Sequence, residues 1–157
     1  MTSPANKTQL INAIADLPDQ VARFVAKLTP EQLTARPIAG EWSIAQNVHH
    51  LCDSHMNSYV RCKLILTEEN PPLKPYDQDA WAELSDSTTS DLGSSLILLR
   101  GLHNRWVDFW LNLPESAWER TGVHPENGQV SLAQILQSYV KHGLGHIEQM
   151  QRNVDAM

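Results

Sequence analysis

Positive charge, cysteine and long apolar runs are all scarce in this sequence. Twelve Lys and Arg face eighteen Asp and Glu, a formal net charge of −6, and no basic run occurs. A nucleic-acid surface needs clustered cations to neutralise phosphates, so no nucleic-acid partner is expected. No apolar stretch approaches the ~18 residues that mark a membrane-spanning helix, so no membrane association is expected either. The opening residues MTSPANKTQL are polar and lack the apolar core of an export signal. The two cysteines, Cys52 and Cys62, lie ten residues apart on what reads as one helix. Their backbones would then be ~15 Å apart, too far for a mutual disulfide. Two reduced cysteines that serve as small core residues fit a cytoplasmic protein. Alternating strand patterns are absent as well, which leaves an all-α fold.

What is present is helical periodicity. The chain has 157 residues, 41% of them hydrophobic, enough for one domain with its own core. Four long amphipathic segments stand between Pro- and Gly-rich punctuation. The first runs from about Asn6 to Leu28, with Pro18 inside it as a kink or a late start. Thr29-Pro30-Glu31-Gln32 then reads as a fresh helix start, closed by Pro37 to Gly40. The second long helix begins after Ser43, whose capping-box partner is Gln46, and runs to about Glu69. Asn70-Pro71-Pro72 stops it. Residues Leu73 to Ser87 form an excursion with a helical turn around Trp81. The third helix begins near Thr89 or Ser90 and runs to Leu113. A connector follows with a turn around Trp118, then a turn at His124-Pro125-Glu126-Asn127-Gly128. The fourth helix is capped by Ser131 with Gln134 and reaches Val154. Together these segments predict a four-helix bundle over residues 1–157.

Seven histidines carry the chemical interest: His49, His50, His55, His103, His124, His142 and His146. His142 and His146 are four apart, on one face about one turn from each other. That face continues the apolar stripe of Ile135 and Tyr139, so both imidazoles point inward. An unpartnered buried polar group costs ~1–3 kcal/mol, and a shared metal ion satisfies both rings. Zinc, nickel and iron all suit imidazole nitrogen. The zinc-protease pattern is not met, because Gly143 rather than Glu follows His142. Gly143 and Gly145 are unusual mid-helix and point either to close approach of a neighbour or to a local kink.

Two ligands are too few for a site, and the second helix offers His49, His50 and His55. Periodicity favours His55, which lies on the apolar stripe. His50 projects ~140° away from it. His50 shares a polar stripe with Ser54, Asn57 and Arg61, which reads either as a solvated face or as the lining of a site. Periodicity does not choose between them.

Gly40-Glu41-Trp42-Ser43 followed by His49-His50-Leu51, with His142-x-x-x-His146 near the C-terminus, resembles the DinB/YfiT-like superfamily of metal-dependent proteins. In that superfamily the first ligand histidine sits eight residues after the tryptophan. The resemblance thus implies His50, His142 and His146 as the metal ligands. The run from Trp42 through Asp53-Ser54-His55-Met56-Asn57-Ser58-Tyr59 to Arg61 is similar to the YfiT branch. So are Thr67-Glu68-Glu69-Asn70-Pro71, Lys74-Pro75-Tyr76-Asp77 and His124-Pro125-Glu126. The resemblance implies a four-helix bundle holding one nickel or zinc ion per chain. It also implies either a metal-dependent hydrolase or a transferase using a low-molecular-weight thiol such as bacillithiol, and a homodimer.

Three neutral ligands leave a metal position open for water or substrate. Such a position would acidify either water, for hydrolysis, or a thiol, for transfer. Arg61 is placed to hold a carboxylate of a thiol cosubstrate. Ser54 and Asn57 are placed to orient a small-molecule substrate, and Tyr139, one turn before His142, to line the site. The alternative from another class is a non-catalytic protein that uses the bundle for binding or dimerisation.

Overall fold

The computed structural model describes residues 4–157. In chain order the elements are α1 (Pro4–Val25), α2 (Pro30–Thr34), α3 (Ile44–Thr67), α4 (Gln78–Ala82), α5 (Ser85–Thr88) and α6 (Gly93–Leu111). A 3-10 turn (Glu115–Ala117), β1 (Thr121–His124), β2 (Gly128–Ser131) and α7 (Leu132–Asp155) follow. The long helices α1, α3, α6 and α7 form a four-helix bundle, as the periodicity predicts. No helix among the described residues is long and apolar enough to cross a membrane.

Local sequence sets the helix starts. Thr29, Ser43 and Ser131 each close a full capping box with the glutamine three residues on. At Ser43, the Gln46 amide N–H donates to the serine Oγ at 3.2 Å. The Gln46 side chain accepts the Ser43 N–H at 3.0 Å. Each such cap satisfies donors that the first turn would otherwise leave orphaned. The excursion after α3 resolves into α4 and α5, with Asp77 capping α4 through the Ala80 N–H. Helix α6 starts later than expected, at Gly93. The Thr89 hydroxyl accepts from the Asp91 N–H, and the Asp91 carboxylate accepts from the Gly93 N–H. Those local bonds hold the backbone out of the helix for another turn. Helix α1 runs straight through Pro18 without ending.

The expectation of no strands is corrected. β1 and β2 pair antiparallel, with Thr121 opposite Ser131 and His124 opposite Gly128. The turn between them falls where the sequence places it, and Gly128 adopts φ +68°. The hairpin lies on the outside of α3. A Cβ on Gly122 would stand 3.0 Å from Ile65 and Leu73, so only glycine lets β1 lie that close. Leu73 and Val123 also exchange a backbone bond that ties the hairpin to the segment after α3.

Helix α1 packs on α6 and α7, and α3 packs on the same two, so α1 and α3 occupy opposite corners. Two apolar clusters fill the bundle. One gathers Ile11, Ile14, Ile65, Trp106, Trp110 and Leu136. The other gathers Leu17, Val21, Val48, Leu51, Leu99 and Met150. Along α3, α6 and α7 the residues between the two clusters are histidines: His55, His103, and the pair His142 and His146. A polar layer thus crosses the middle of the bundle. Cys52 and Cys62 are free and buried, and burial pushes each thiol up to about 12. Neither is a thiolate at neutral pH.

The two mid-helix glycines of α7 differ. A Cβ on Gly143 would fall 2.6 Å from a methyl of Leu17 on α1, whereas one on Gly145 meets nothing within 4 Å. Gly143 is therefore the close-approach residue. Gly145→Ala is expected to stabilise the fold by up to ~1 kcal/mol through helix propensity. Gly143→Ala is expected to lose about 1–3 kcal/mol by overpacking against α1. Urea denaturation of the two variants checks this; equal midpoints would contradict the assignment.

Candidate metal centre

Helices α3 and α7 face each other across the polar layer, and their histidines meet there. His50 Nε2 lies 3.2 Å from His142 Nε2, and His146 Nε2 lies 3.1 Å from the same atom. One nitrogen from each of His50, His142 and His146 falls within 4.8 Å of the others. His50 is 4% exposed, and His142 and His146 are half-buried. The cluster thus takes two imidazoles one turn apart on α7 and a third from α3.

The remaining ring nitrogens show what the convergence means. His146 Nδ1 is 2.7 Å from Asn47 Oδ1. The Asn47 amide nitrogen donates to the Ser43 carbonyl at 2.9 Å, so its oxygen must face the ring and accept Nδ1–H. His146 Nε2 then carries a bare lone pair. His142 Nδ1 is 3.2 Å from His55 Nε2. With His142 giving its Nδ1 proton to His55, the bare Nε2 lone pairs of His142 and His146 face each other at 3.1 Å, with His50 Nε2 beside them. That arrangement is repulsive unless a positive charge lies between them. In two of the three ring pairs the nitrogens stand 3.1–3.2 Å apart, and imidazole nitrogens would suit a zinc or nickel ion. The donor set and its spacing fit a divalent cation.

Burial keeps these rings neutral. It lowers His50 and His142 from 6.5 to about 3, with the neighbouring rings adding to the effect. It lowers His146 to about 4. His55, with no exposed surface, is held well below its ordinary value by the same cause. Trp42 closes one wall. Its ring centroid is 4.7 Å from that of His50, and it stacks on His146 at 6.1 Å.

His142 also borders a cavity of about 720 Å³, lined by Ser54, Arg61, Tyr76, His124, Glu126 and Tyr139 among others. Ser54 and Tyr139 touch across the α3–α7 groove, where the Tyr139 hydroxyl donates to the Ser54 carbonyl at 3.3 Å. Arg61 donates to the Lys74 carbonyl at 2.6 Å, and none of the ion pairs among the described residues involves it. Asn57 donates to the Asp53 carbonyl at 2.8 Å, so its amide nitrogen turns back along its own helix. Tyr76 remains a phenol, as burial pushes it up to about 12.

A family model of the DinB superfamily matches residues 13–150. The chain belongs to the DinB superfamily. Two relatives carry names of one kind. It is 44% identical over 136 residues to a Bacillus mycoides protein named "putative metal-dependent hydrolase", covering 87% of this chain and 78% of that one. It is 44% identical over 137 residues to an Oceanobacillus iheyensis protein of the same kind of name, covering 87% and 79%. Among solved structures it matches YfiT from Bacillus subtilis, described as "a probable metal-dependent hydrolase with an unusual four-helix bundle topology". The TM-score is 0.94 at 39% identity, over 98% of this chain and 88% of that one. As a DinB superfamily member the chain shares that bundle topology.

Between the sequence candidates for the third ligand, His50 is the one that reaches the α7 pair; His55 stands behind His142. His49 is turned to α6, bonded to the Ser95 hydroxyl at 2.7 Å and the Thr89 carbonyl at 3.0 Å. Sequence reasoning missed Asn47 and the cavity residues Tyr76, His124 and Glu126. Asn47 precedes His50 by one helical turn, a spacing that would have signalled it.

A pH dependence follows for the metal-free chain. The buried rings bind protons more readily unfolded, near 6.5, than folded, near 3–4. Their contribution to stability is therefore complete above pH 6.5 and is lost as pH falls toward 4. The urea midpoint of chelator-treated protein should hold above about pH 7 and fall as pH drops from about 6.5 toward 4. A flat profile over that range would contradict neutral burial.

Proposed function

We propose that this chain is a divalent-metal-dependent transferase that joins a low-molecular-weight thiol to an electrophile. Zinc or nickel would be held by His50, His142 and His146. The observation that carries the reading is three imidazole nitrogens meeting beside a cavity of about 720 Å³, with no Asp or Glu in the cluster. A divalent cation in that position supplies Lewis acidity to whatever ligates it. A thiol begins near 8.5, against 15.7 for water, so it needs far less help to ionise at neutral pH. Asp77 and Glu126 line the same cavity, so it is the easier ionisation of a thiol, not a lack of carboxylates, that favours thiol chemistry over water activation. The resemblance of the Trp42–Arg61 run to the YfiT branch implies either such a transferase or a hydrolase, and so agrees with this reading without choosing it.

The chain's own residues would do the positioning. Arg61 lines the cavity, makes no ion pair among the described residues, and would hold a carboxylate of the thiol. Tyr139 and Tyr76 would wall the electrophile, and Ser54 would orient the pair. The names of the relatives favour a second reading, metal-dependent hydrolysis, which demands the same ligands.

Metal analysis tests the site first. The purified chain is expected to carry about one divalent ion, and His50→Ala, His142→Ala and His146→Ala should each lose most of it. Undiminished stoichiometry in all three would overturn the ligand set. Mixing zinc-loaded protein with an alkyl halide, with and without a carboxylated thiol, separates the reactions. Conjugation is expected only with both metal and thiol, whereas ester or amide cleavage in the absence of thiol would favour hydrolysis. Arg61→Ala should raise KM for the carboxylated thiol by about tenfold, the worth of roughly 1.4 kcal/mol, and leave a thiol without carboxylates unaffected.

A further inference from the structure

Besides His49, two more buried histidines stand outside the proposed ligand set. His55 and His103 have no exposed surface, and their rings stack at 4.9 Å with Trp106 edge-on to both. They form a continuous chain of contacts from helix α1 to the metal centre. His103 Nδ1 is 2.6 Å from the Ile14 carbonyl oxygen. His103 Nε2 is 2.8 Å from His55 Nδ1. His55 Nε2 is 3.2 Å from His142 Nδ1.

The chain has a direction, and the Ile14 carbonyl sets it. A carbonyl only accepts, so His103 must carry its proton on Nδ1. In a neutral ring Nε2 then accepts, and His55 must present Nδ1–H. His55 Nε2 accepts in turn, so His142 must present Nδ1–H and keep Nε2 bare. That bare nitrogen is the one that meets His50 and His146. The Ile14 carbonyl is available for a reason legible in the sequence. Its ordinary helical donor would be the N–H of the residue four further on, which is Pro18, and proline has none. The terminal carbonyl cannot take up a proton, so the chain is not a proton exit.

We propose that His55 and His103, anchored on the Ile14 carbonyl that Pro18 releases, are positioning residues that fix the tautomer and orientation of His142 for metal binding through Nε2. Metal-bound histidines generally need such an outer partner, most often a carboxylate or a carbonyl. Here two imidazoles extend the reach of a backbone carbonyl across the bundle, from α1 through α6 and α3 to α7. Neutral partners add no negative charge beneath the ligand, so a cation held above keeps its full Lewis acidity.

The proposal rests on the metal-centre reading, and the first measurement is made without metal so that the two can fail separately. Long-range 1H–15N correlation spectra of the 15N-labelled, chelator-treated chain at neutral pH report which nitrogen of each ring is protonated. Nδ1–H forms of His103, His55 and His142 are expected. An Nε2–H form of His55 or His142 overturns the proposal whatever the protein does with metal. The second measurement is zinc affinity by competition with a chromophoric chelator. His103→Phe keeps an aromatic ring that neither donates nor accepts, and should raise the zinc Kd by about 10–100-fold. His103→Gln keeps a donor and an acceptor on one end group and should recover part of that loss. Equal affinity in the unmodified chain and His103→Phe overturns the proposal. So does an equal loss in both variants, which would mark His103 as packing alone. Failure of the unmodified chain to take up zinc would overturn the centre itself, and with it the purpose of the chain of rings.

Discussion

Lone pairs that face one another at about 3 Å repel, and the middle of this bundle holds the rings of His142 and His146 in that posture with His50 beside them. The two apolar clusters clamp the layer from both ends. Asn47 and His55 take the outer protons of His146 and His142, and Trp42 covers the outer face of His50 and His146. Each of these contacts makes sense as support for a cation and little sense as ordinary core packing. A bundle built only for stability would fill the same layer with Leu and Ile, which carry no desolvation cost.

The layer also dictates how the rest of the chain is disposed. The three meeting imidazoles come from α3 and α7, so those helices must touch along the middle. The supporting rings come from α3 and α6, so those must touch as well. The anchor lies on α1, which therefore packs on α6. Placing α1 and α3 at opposite corners satisfies all three demands at once. Gly143 contributes by letting α7 settle against Leu17 on α1, just beside His142. The excursion of α4 and α5 and the β-hairpin then supply the outer wall of the cavity through Tyr76, His124 and Glu126.

The sequence made the bundle legible because its signals are local. Capping boxes at Ser43 and Ser131, the stop at Asn70-Pro71-Pro72 and the 3.6-residue stripes each depend on neighbours within a turn. The hairpin escaped because its strands are four residues long and interrupted by Gly122, too short for alternation to register. The start of α6 escaped because Thr89 and Asp91 compete for the backbone, which composition alone does not reveal. The pair His142 and His146 was visible from spacing. The choice between His50 and His55 was not, since both lie inward on α3: one faces α7 directly, and the other faces α6 with its far nitrogen reaching His142. A resemblance to known proteins separated them, and the geometry gives the reason: helix α3 has two buried faces, and the apolar stripe marks only one.

Pro18 has a consequence that reaches beyond its own helix. Read locally, it is a blemish that forfeits one bond of the α1 ladder and invites replacement by alanine for a gain in rigidity. Because the forfeited carbonyl is engaged by His103, that improvement would set a second donor competing for the same oxygen. A stabilising substitution remote from the cavity would then loosen the footing of a ligand four links away. Engineering this scaffold for heat tolerance would therefore trade against metal loading at a residue that no inspection of the centre alone would flag.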